Sequence, residues 1–347
     1  MKVYRTFQIA LVVAVIAIPH AALAQAPPPR SYLQILELYQ HGRIDEALAA
    51  LAMTADSKVQ SGQKLIFKTL EQKDPRRVPA AVGLLRVGAL IHAAEAFRLA
   101  DHDRGGALRH LDVARAYVAK VASGGREPSF VLDWWLMVIS VFQGQFDLVM
   151  ANELGRQARD SVGESPELWL AIGVTEEMAW TISHDAGVRY SFNGDLQDAE
   201  SAYRRALAGQ PGLVEARVRL GRVLTLRGAI DESLRVLGAI GAGEDGESRY
   251  LARLFEGEAL ERSGKVAEAE EQYFAAFAAV PRAQSARLAL AHLRHLNGQR
   301  AEATATVRAT AEDRGAADDT DPWFWYTRGL LWRAPEYLQR LRTTVER

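Results

Sequence analysis

Four glycines, Gly194, Gly228, Gly264 and Gly298, stand 34, 36 and 34 residues apart, and similar residues follow each of them at matching offsets. A period of about 34 residues over more than a hundred positions constrains a chain strongly. It specifies a helix-turn-helix solenoid, in which each unit buries its apolar face against the next rather than within itself. The physical reason is local. A glycine just past a helix takes the left-handed conformation that other residues resist, so the chain reverses within a few residues.

The repeat units carry more than the glycine. Gly194, Leu196, Ala199, Tyr203, Ala206 and Pro211 form one set, and Gly264, Val266, Ala269, Tyr273, Ala276 and Pro281 repeat it place for place, with Gly257 as a small residue in the preceding helix. Looser copies hold Gly221, Gly228, Ile230, Ser233 and Leu237, then Ala291, Gly298, Ala303 and Val307. Small residues let paired helices approach, a Tyr or Leu fills the gap between them, and a Pro ends the second helix because it cannot extend the hydrogen-bond ladder. This pattern resembles the tetratricopeptide repeat. The resemblance implies an all-α fold, a right-handed solenoid of antiparallel helix pairs, with units at about 180–213, 214–247, 250–283 and 284–317 in a region spanning 169–317. The longer 36-residue step is assigned to a loop around Gly241 to Gly246.

Upstream, over 31–168, the signal is weaker. Leu38, Gly42, Ile44, Ala47 and Leu51 fit a first unit, Gly144 with Phe146 fits another, and the segments 78–100 and 106–121 carry apolar residues at helical spacing. Degenerate helix pairs are expected there. Gly144 to Gly194 spans 50 residues, 16 more than a repeat, so the unit beginning near Trp169 holds an insertion at about 173–193, expected as an overlong helix or an extra turn.

The N-terminus reads as an export signal. Lys2 and Arg5 precede an apolar run from Ile9 to Ile18, and Ala22 and Ala24 supply the small residues of a cleavage site. Cleavage is expected between Ala24 and Gln25, leaving a Pro-rich tether over 25–30 with Pro27, Pro28 and Pro29. The apolar run is shorter than the roughly 20 residues a membrane span needs. The expected location is therefore periplasmic or extracellular. Without cysteine the chain has no disulfide, thiol nucleophile or thiolate metal site. Its formal charge of -1, or -3 once Lys2 and Arg5 are removed, does not favour nucleic acid.

Motifs of chemistry fare poorly against this frame. Gly241-Ala-Gly243-Glu-Asp-Gly246 has the spelling of a dinucleotide fingerprint, but a helix precedes it and Glu244 and Asp245 would repel a pyrophosphate. It reads as a linker. Gly264-Lys265 lacks the spacing and the Ser or Thr of a phosphate loop. The pairs His292 with His295 and His92 with Glu95 each offer two ligands on one helix face, which falls short of a metal site. His184 and Asp185 beside Glu176 and Glu177 are the one cluster that suggests acid-base chemistry, with no nucleophile in reach of it by pattern. No catalytic residue, metal or cofactor is assigned.

The resemblance implies a protein or peptide ligand held in a concave groove lined by the first helix of each unit. The implied groove residues are Val218, Arg222, Thr225 and Leu226; Leu254, Glu258, Glu261 and Arg262; and Leu288, His292, His295 and Leu296. They lack the Lys and Asn with which family members grip a C-terminal carboxylate, and they suit an amphipathic or extended segment better. The aromatic stretch Asp321 to Tyr326, within 318–347, is expected to cap the open end of the last repeat. Two other readings stay open at this point. One is a glycan or envelope-polymer contact through the aromatic segment, and the other is an enzyme or metal protein centred near His184.

Overall fold

The computed structural model describes residues 32–54, 57–60, 64–67, 78–99, 102–123, 127–185, 192–312 and 321–346. The export signal, its cleavage site and the Pro-rich tether lie outside these. Seven antiparallel helix pairs follow one another along the described chain: α1 (Tyr32–Gln40) with α2 (Ile44–Thr54), α3 (Val78–Leu99) with α4 (Arg104–Ser123), α5 (Pro128–Gly144) with α6 (Leu148–Val162), α7 (Pro166–Asp185) with α8 (Leu196–Gly209), α9 (Val214–Leu226) with α10 (Ile230–Gly238), α11 (Gly246–Arg262) with α12 (Val266–Ala279), and α13 (Ser285–Leu296) with α14 (Arg300–Glu312). The odd-numbered helices also pack on one another, α1 on α3, α3 on α5, α5 on α7, α7 on α9 and α9 on α11, which makes them the inner layer of a helical solenoid.

The glycine ladder sets the turns. Gly194, Gly228, Gly264 and Gly298 all have φ between +67° and +82°, as has Gly42 of the first pair at +74°. After Gly228, Gly264 and Gly298 the next amide donates back across the turn: Ala229 N–H to Leu224 O, Lys265 N–H to Leu260 O, and Gln299 N–H to Arg294 O, each at 2.9 Å. These are the bonds that satisfy the last carbonyls of a helix closed by a left-handed residue.

The α5–α6 turn corrects the expected register. The bond Asp147 N–H to Phe142 O at 3.0 Å repeats the same pattern, so the left-handed position is Phe146, at φ +57°, and not Gly144. Gly144 is the last residue of α5, packed so closely that an added Cβ would lie 2.4 Å from the Leu331 side chain. Phe146 thus holds a conformation that costs an L-residue about 1–2 kcal/mol, with its ring half exposed.

Helix pairs close on the small-against-aromatic contacts expected from sequence. A Cβ at Gly257 would stand 2.4 Å from the Tyr273 ring, and the same contact joins Gly88 to Tyr117 in the upstream half, where the sequence pattern fades. One apolar core runs through the first pairs to α9 and a second continues from α9 to α13.

Three further departures have clear causes. The unit expected from about 180 begins at Pro166, because α7 runs unbroken for 20 residues while its neighbour α9 has 13. Gly194 returns against this helix, where a Cβ would fall 2.2 Å from the Glu176 carbonyl and 2.7 Å from the Trp180 amide, so the overlong end of α7 overruns the turn-back point. Second, the expected all-helical stretch 31–168 includes an antiparallel pair, β1 (Ser57–Gln60) and β2 (Lys64–Phe67), with Ser57 opposite Phe67 and Gln60 opposite Lys64. Val59, Leu65, Ile66 and Phe67 are strand-prone residues on either side of Ser61-Gly62-Gln63. Third, the aromatic segment does not cap the last pair. Leu296 and Val307, on that pair, are exposed. The segment forms α15 (Pro322–Tyr326), a 3-10 turn (Leu331–Arg333) and α16 (Ala334–Glu346), and these contact α11, α5 and α3, all inner helices.

Candidate functional site

The inner face is where ligand chemistry is expected, and the chain's own C-terminal segment covers much of it. Asp321 begins this path. One carboxylate oxygen accepts from the Gln284 and Ser285 amides at 2.9 and 2.8 Å, and the other accepts from the Trp323 amide at 3.0 Å. A single side chain thereby ties the N-terminus of α13 to that of α15, in the manner of an N-cap. Trp323 meets Phe255 of α11 edge-on at 5.8 Å and stacks on Tyr326 at 5.4 Å.

Below it lies a buried ionic cluster. Glu177 of α7 accepts from the Tyr203 hydroxyl at 2.6 Å, from Arg222 Nη1 at 2.8 Å, from Arg219 Nη1 at 3.4 Å, and from the Tyr326 hydroxyl. Arg219, with a fully buried side chain, uses its remaining nitrogens on Glu215 at 2.6 Å and on the carbonyls of Tyr326 and Gly329 at 3.1 and 3.2 Å. Its guanidinium lies 4.1 Å from the centre of the Tyr326 ring. Burial alone would raise the Glu177 carboxyl, but Arg219 and Arg222, with the Tyr203 and Tyr326 hydroxyls, hold it below the ordinary carboxylate value. The carboxylate is ionised and fully paired, as a buried charge must be to be tolerated, while Arg222 Nε is left without a hydrogen-bond partner.

The path continues along α5 and α3. The Leu330 amide donates to Gln143 Oε1 at 3.0 Å, while Gln143 Nε2 donates to Ala171 O at 2.8 Å and to Thr175 at 2.9 Å. Tyr337, Leu341 and Val345 of α16 are completely buried. Arg340 pairs with Asp133 at 2.6 Å, Arg342 donates to the Tyr39 hydroxyl at 3.0 Å, and Arg86 donates to Thr344 O at 3.1 Å. The C-terminal segment therefore runs along the inner face from α13 back to α1.

This placement sorts the residues expected to line the groove. Val218 is buried in the apolar core, and Arg222 is committed to Glu177 and to the ring of Trp323, 5.1 Å away. Thr225 does not face the groove: its hydroxyl bonds to Gly221 O at 3.2 Å and to Ser233 of α10 at 2.7 Å, inside the helix pair. Leu254, Glu258, Glu261, Arg262 and His292 come together with Phe255 and Trp323 around an open cleft of about 490 Å³ between α11, α13 and the start of the C-terminal segment. Leu288, His295 and Leu296 are exposed on α13 outside that lining.

The rival chemical clusters resolve as follows. His184 is exposed and stacks on Trp180 at 4.6 Å, and residues 186–191 of the insertion lie outside the described residues. Burial pushes the Glu176 carboxyl up to about 7, and it accepts the Asp195 amide at 3.1 Å. Among the described residues no three His, Asp or Glu side chains are grouped to hold a metal ion. His92 does not work with Glu95. Its Nδ1 lies 3.0 Å from Nδ1 of His110, and Glu95 pairs with Arg98 at 2.8 Å. The G-x-G-x-x-G stretch is the α10–α11 linker, ended by Asp245 capping the Ser248 amide at 2.8 Å. No helix among the described residues is long and apolar enough to cross a membrane.

Residues 193–254, which run from the Gly194 turn through α8, α9 and α10 into α11, match the tetratricopeptide repeat family. Over this stretch the chain is similar to the tetratricopeptide repeat. Solved structures to which this repeat protein is similar include "MamA RS-1 ArsTM double mutant", at 16% identity over 52% of this chain and 93% of that one, with a TM-score of 0.40. The tetratricopeptide repeat domain of P58(IPK) is another, at 14% identity over 77% of this chain and 78% of that one, with a TM-score of 0.26. No curated protein matches the sequence.

Glu177, Arg219, Tyr203, Gln143 and Tyr326 form one network that the repeat pattern does not announce. Their signal is present in part. Glu177 continues the buried register of Leu170 and Val174 in α7, and Arg219 sits between Val218 and Leu220 in α9, so charges of opposite sign occupy core positions of adjacent inner helices.

Proposed function

We propose that this protein is an exported scaffold that binds a segment of another protein in the cleft between α11 and α13. The observation that carries this reading is the composition of the inner face. Its lower part is closed by the chain's own segment, held by aromatic anchors and backbone hydrogen bonds, and its upper part is left open over Leu254, Glu258, Glu261, His292 and Trp323. An inner wall that already holds one polypeptide segment through buried rings and satisfied carbonyls has the chemistry for holding a second beside it. Export is supported by Lys2, Arg5, the run from Ile9 to Ile18 and the Ala22 and Ala24 pair. Binding without turnover is supported by the commitment of Glu177 to its ion pairs and by the surface position of His184.

A photoreactive phenylalanine replacing Arg262 at the cleft, compared with one replacing the exposed Glu271 of α12, tests the reading in living cells. Adducts to a defined protein at position 262 and not at 271 are expected. Equal adducts at both positions, or none at 262, would remove the cleft as a binding site. N-terminal sequencing of the protein recovered from the producing cells is expected to begin at Gln25, and an intact Met1 would refute export.

A further inference from the structure

Resting on that reading, we infer that the cleft selects a polypeptide segment presenting a Lys or Arg side chain next to a bulky apolar residue. The inner-face cations supply the first part of the argument. Arg219 is fully buried on Glu177, Glu215 and the C-terminal segment, and Arg222, nearly buried, gives Nη1 to Glu177 and leaves Nε without a partner, so both charges are matched by Glu177 beneath the cleft wall. What remains around the opening is acidic. Glu258 and Glu261 face one guanidinium, Arg262, and that group is already bound to Glu258 Oε1 through Nε at 3.1 Å and Nη2 at 3.0 Å.

Glu261 is the group left for a ligand. Its Oε2 accepts from the Tyr273 hydroxyl at 2.7 Å, which fixes the carboxylate, while Oε1 has the His292 Nε2 at 3.9 Å, beyond hydrogen-bond reach. A fixed carboxylate with an open oxygen at the edge of a low-dielectric wall favours a cation and disfavours an anion. The wall itself is Leu254, Phe255 and Trp323, with Ala289 leaving room opposite. This apolar wall accepts the aliphatic stem of a Lys or Arg and the neighbouring apolar side chain. The cleft volume of about 490 Å³ accommodates two or three side chains, and so fits a short part of a segment.

The probes are a fluorescein-labelled peptide alternating Lys with Leu and its counterpart with Glu in place of Lys, titrated onto the full mature chain. The Lys peptide is expected to bind at least tenfold tighter. Glu261→Gln and Trp323→Ala are each expected to weaken it about fivefold or more, whereas Glu271→Gln, which changes the net charge equally on the exposed face of α12, leaves it unchanged. Hydrogen exchange on each variant confirms that α11 and α13 stay folded. Equal binding of the two peptides, or equal loss with Glu261→Gln and Glu271→Gln, overturns the inference. If the Lys peptide does not bind while position 262 still gives adducts in cells, the charge assignment falls and the cleft remains a protein-binding site. If the adducts are absent as well, both fall.

Discussion

Glu177→Gln is the substitution that most sharply separates a structural latch from a surface contact. Glu177 is 1% exposed and is the acceptor for Arg222 Nη1 at 2.8 Å, Arg219 Nη1 at 3.4 Å and two tyrosine hydroxyls. At an effective dielectric near 20 the closer ion pair alone is worth about 6 kcal/mol of attraction, set against a desolvation cost of several kcal/mol for each ion. The net worth of the pair is thus small, but removing one partner strands Arg222 as a buried charge. That costs about 3–5 kcal/mol. Arg219 suffers less, since Glu215 and the Tyr326 and Gly329 carbonyls remain. Tyr326→Phe removes one hydroxyl donor and leaves the ions in place, so its cost is about 1.5–3 kcal/mol. Urea unfolding followed by tryptophan fluorescence measures both. A loss below about 1 kcal/mol for Glu177→Gln, or a larger loss for Tyr326→Phe than for Glu177→Gln, would refute the argument that the C-terminal segment is anchored on a paired buried carboxylate.

Two further outcomes follow from the fold. Phe146→Gly relieves a left-handed residue with a half-exposed ring, and the relief exceeds the entropy glycine adds to the unfolded chain, so the protein gains about 0.5–1 kcal/mol in the same denaturation assay; a loss would show that the ring is held by packing. His92 lies against His110, and burial first, then the neighbouring imidazole, pushes it down to about 3 from its ordinary 6.5. The folded state therefore binds fewer protons than the unfolded chain between these values. Its contribution is complete above pH 6.5 and is lost as the pH falls toward 3, by up to about 1.4 kcal/mol per pH unit. His92→Gln is expected to flatten that part of the stability profile, and an unchanged slope would contradict the assignment.

The legible and illegible parts of this chain divide along physical lines. Turn chemistry is local, so Gly194, Gly228, Gly264 and Gly298 announce their left-handed backbone through spacing alone. Packing between a small residue and a ring in the same helix pair is nearly as local, as Gly257 and Tyr273 show. Gly144 misleads because a glycine two residues from the turn mimics the motif, and the true turn residue, Phe146, carries strain that sequence preference argues against. The path of residues 321–346 is not legible. It depends on contacts between positions more than a hundred residues apart, such as Arg219 with Tyr326 and Gln143 with Leu330, and a sequence period has no record of them. That path also decides the fate of the expected groove. Leu254, Glu258, Glu261 and His292 gather at the open cleft, whereas Val218 and Arg222 are covered and Thr225 faces into its helix pair.

Hydrogen exchange along the native chain tests the central claim, that the C-terminal segment fills the inner face of the solenoid as part of the folded core. The amides of 338–346, and that of Leu330 which donates to the buried Gln143, are expected to exchange as slowly as those of α7 and α9, through global unfolding. Exchange of this segment within seconds, while α7 and α9 stay protected, would show that it leaves the groove freely and would contradict the account.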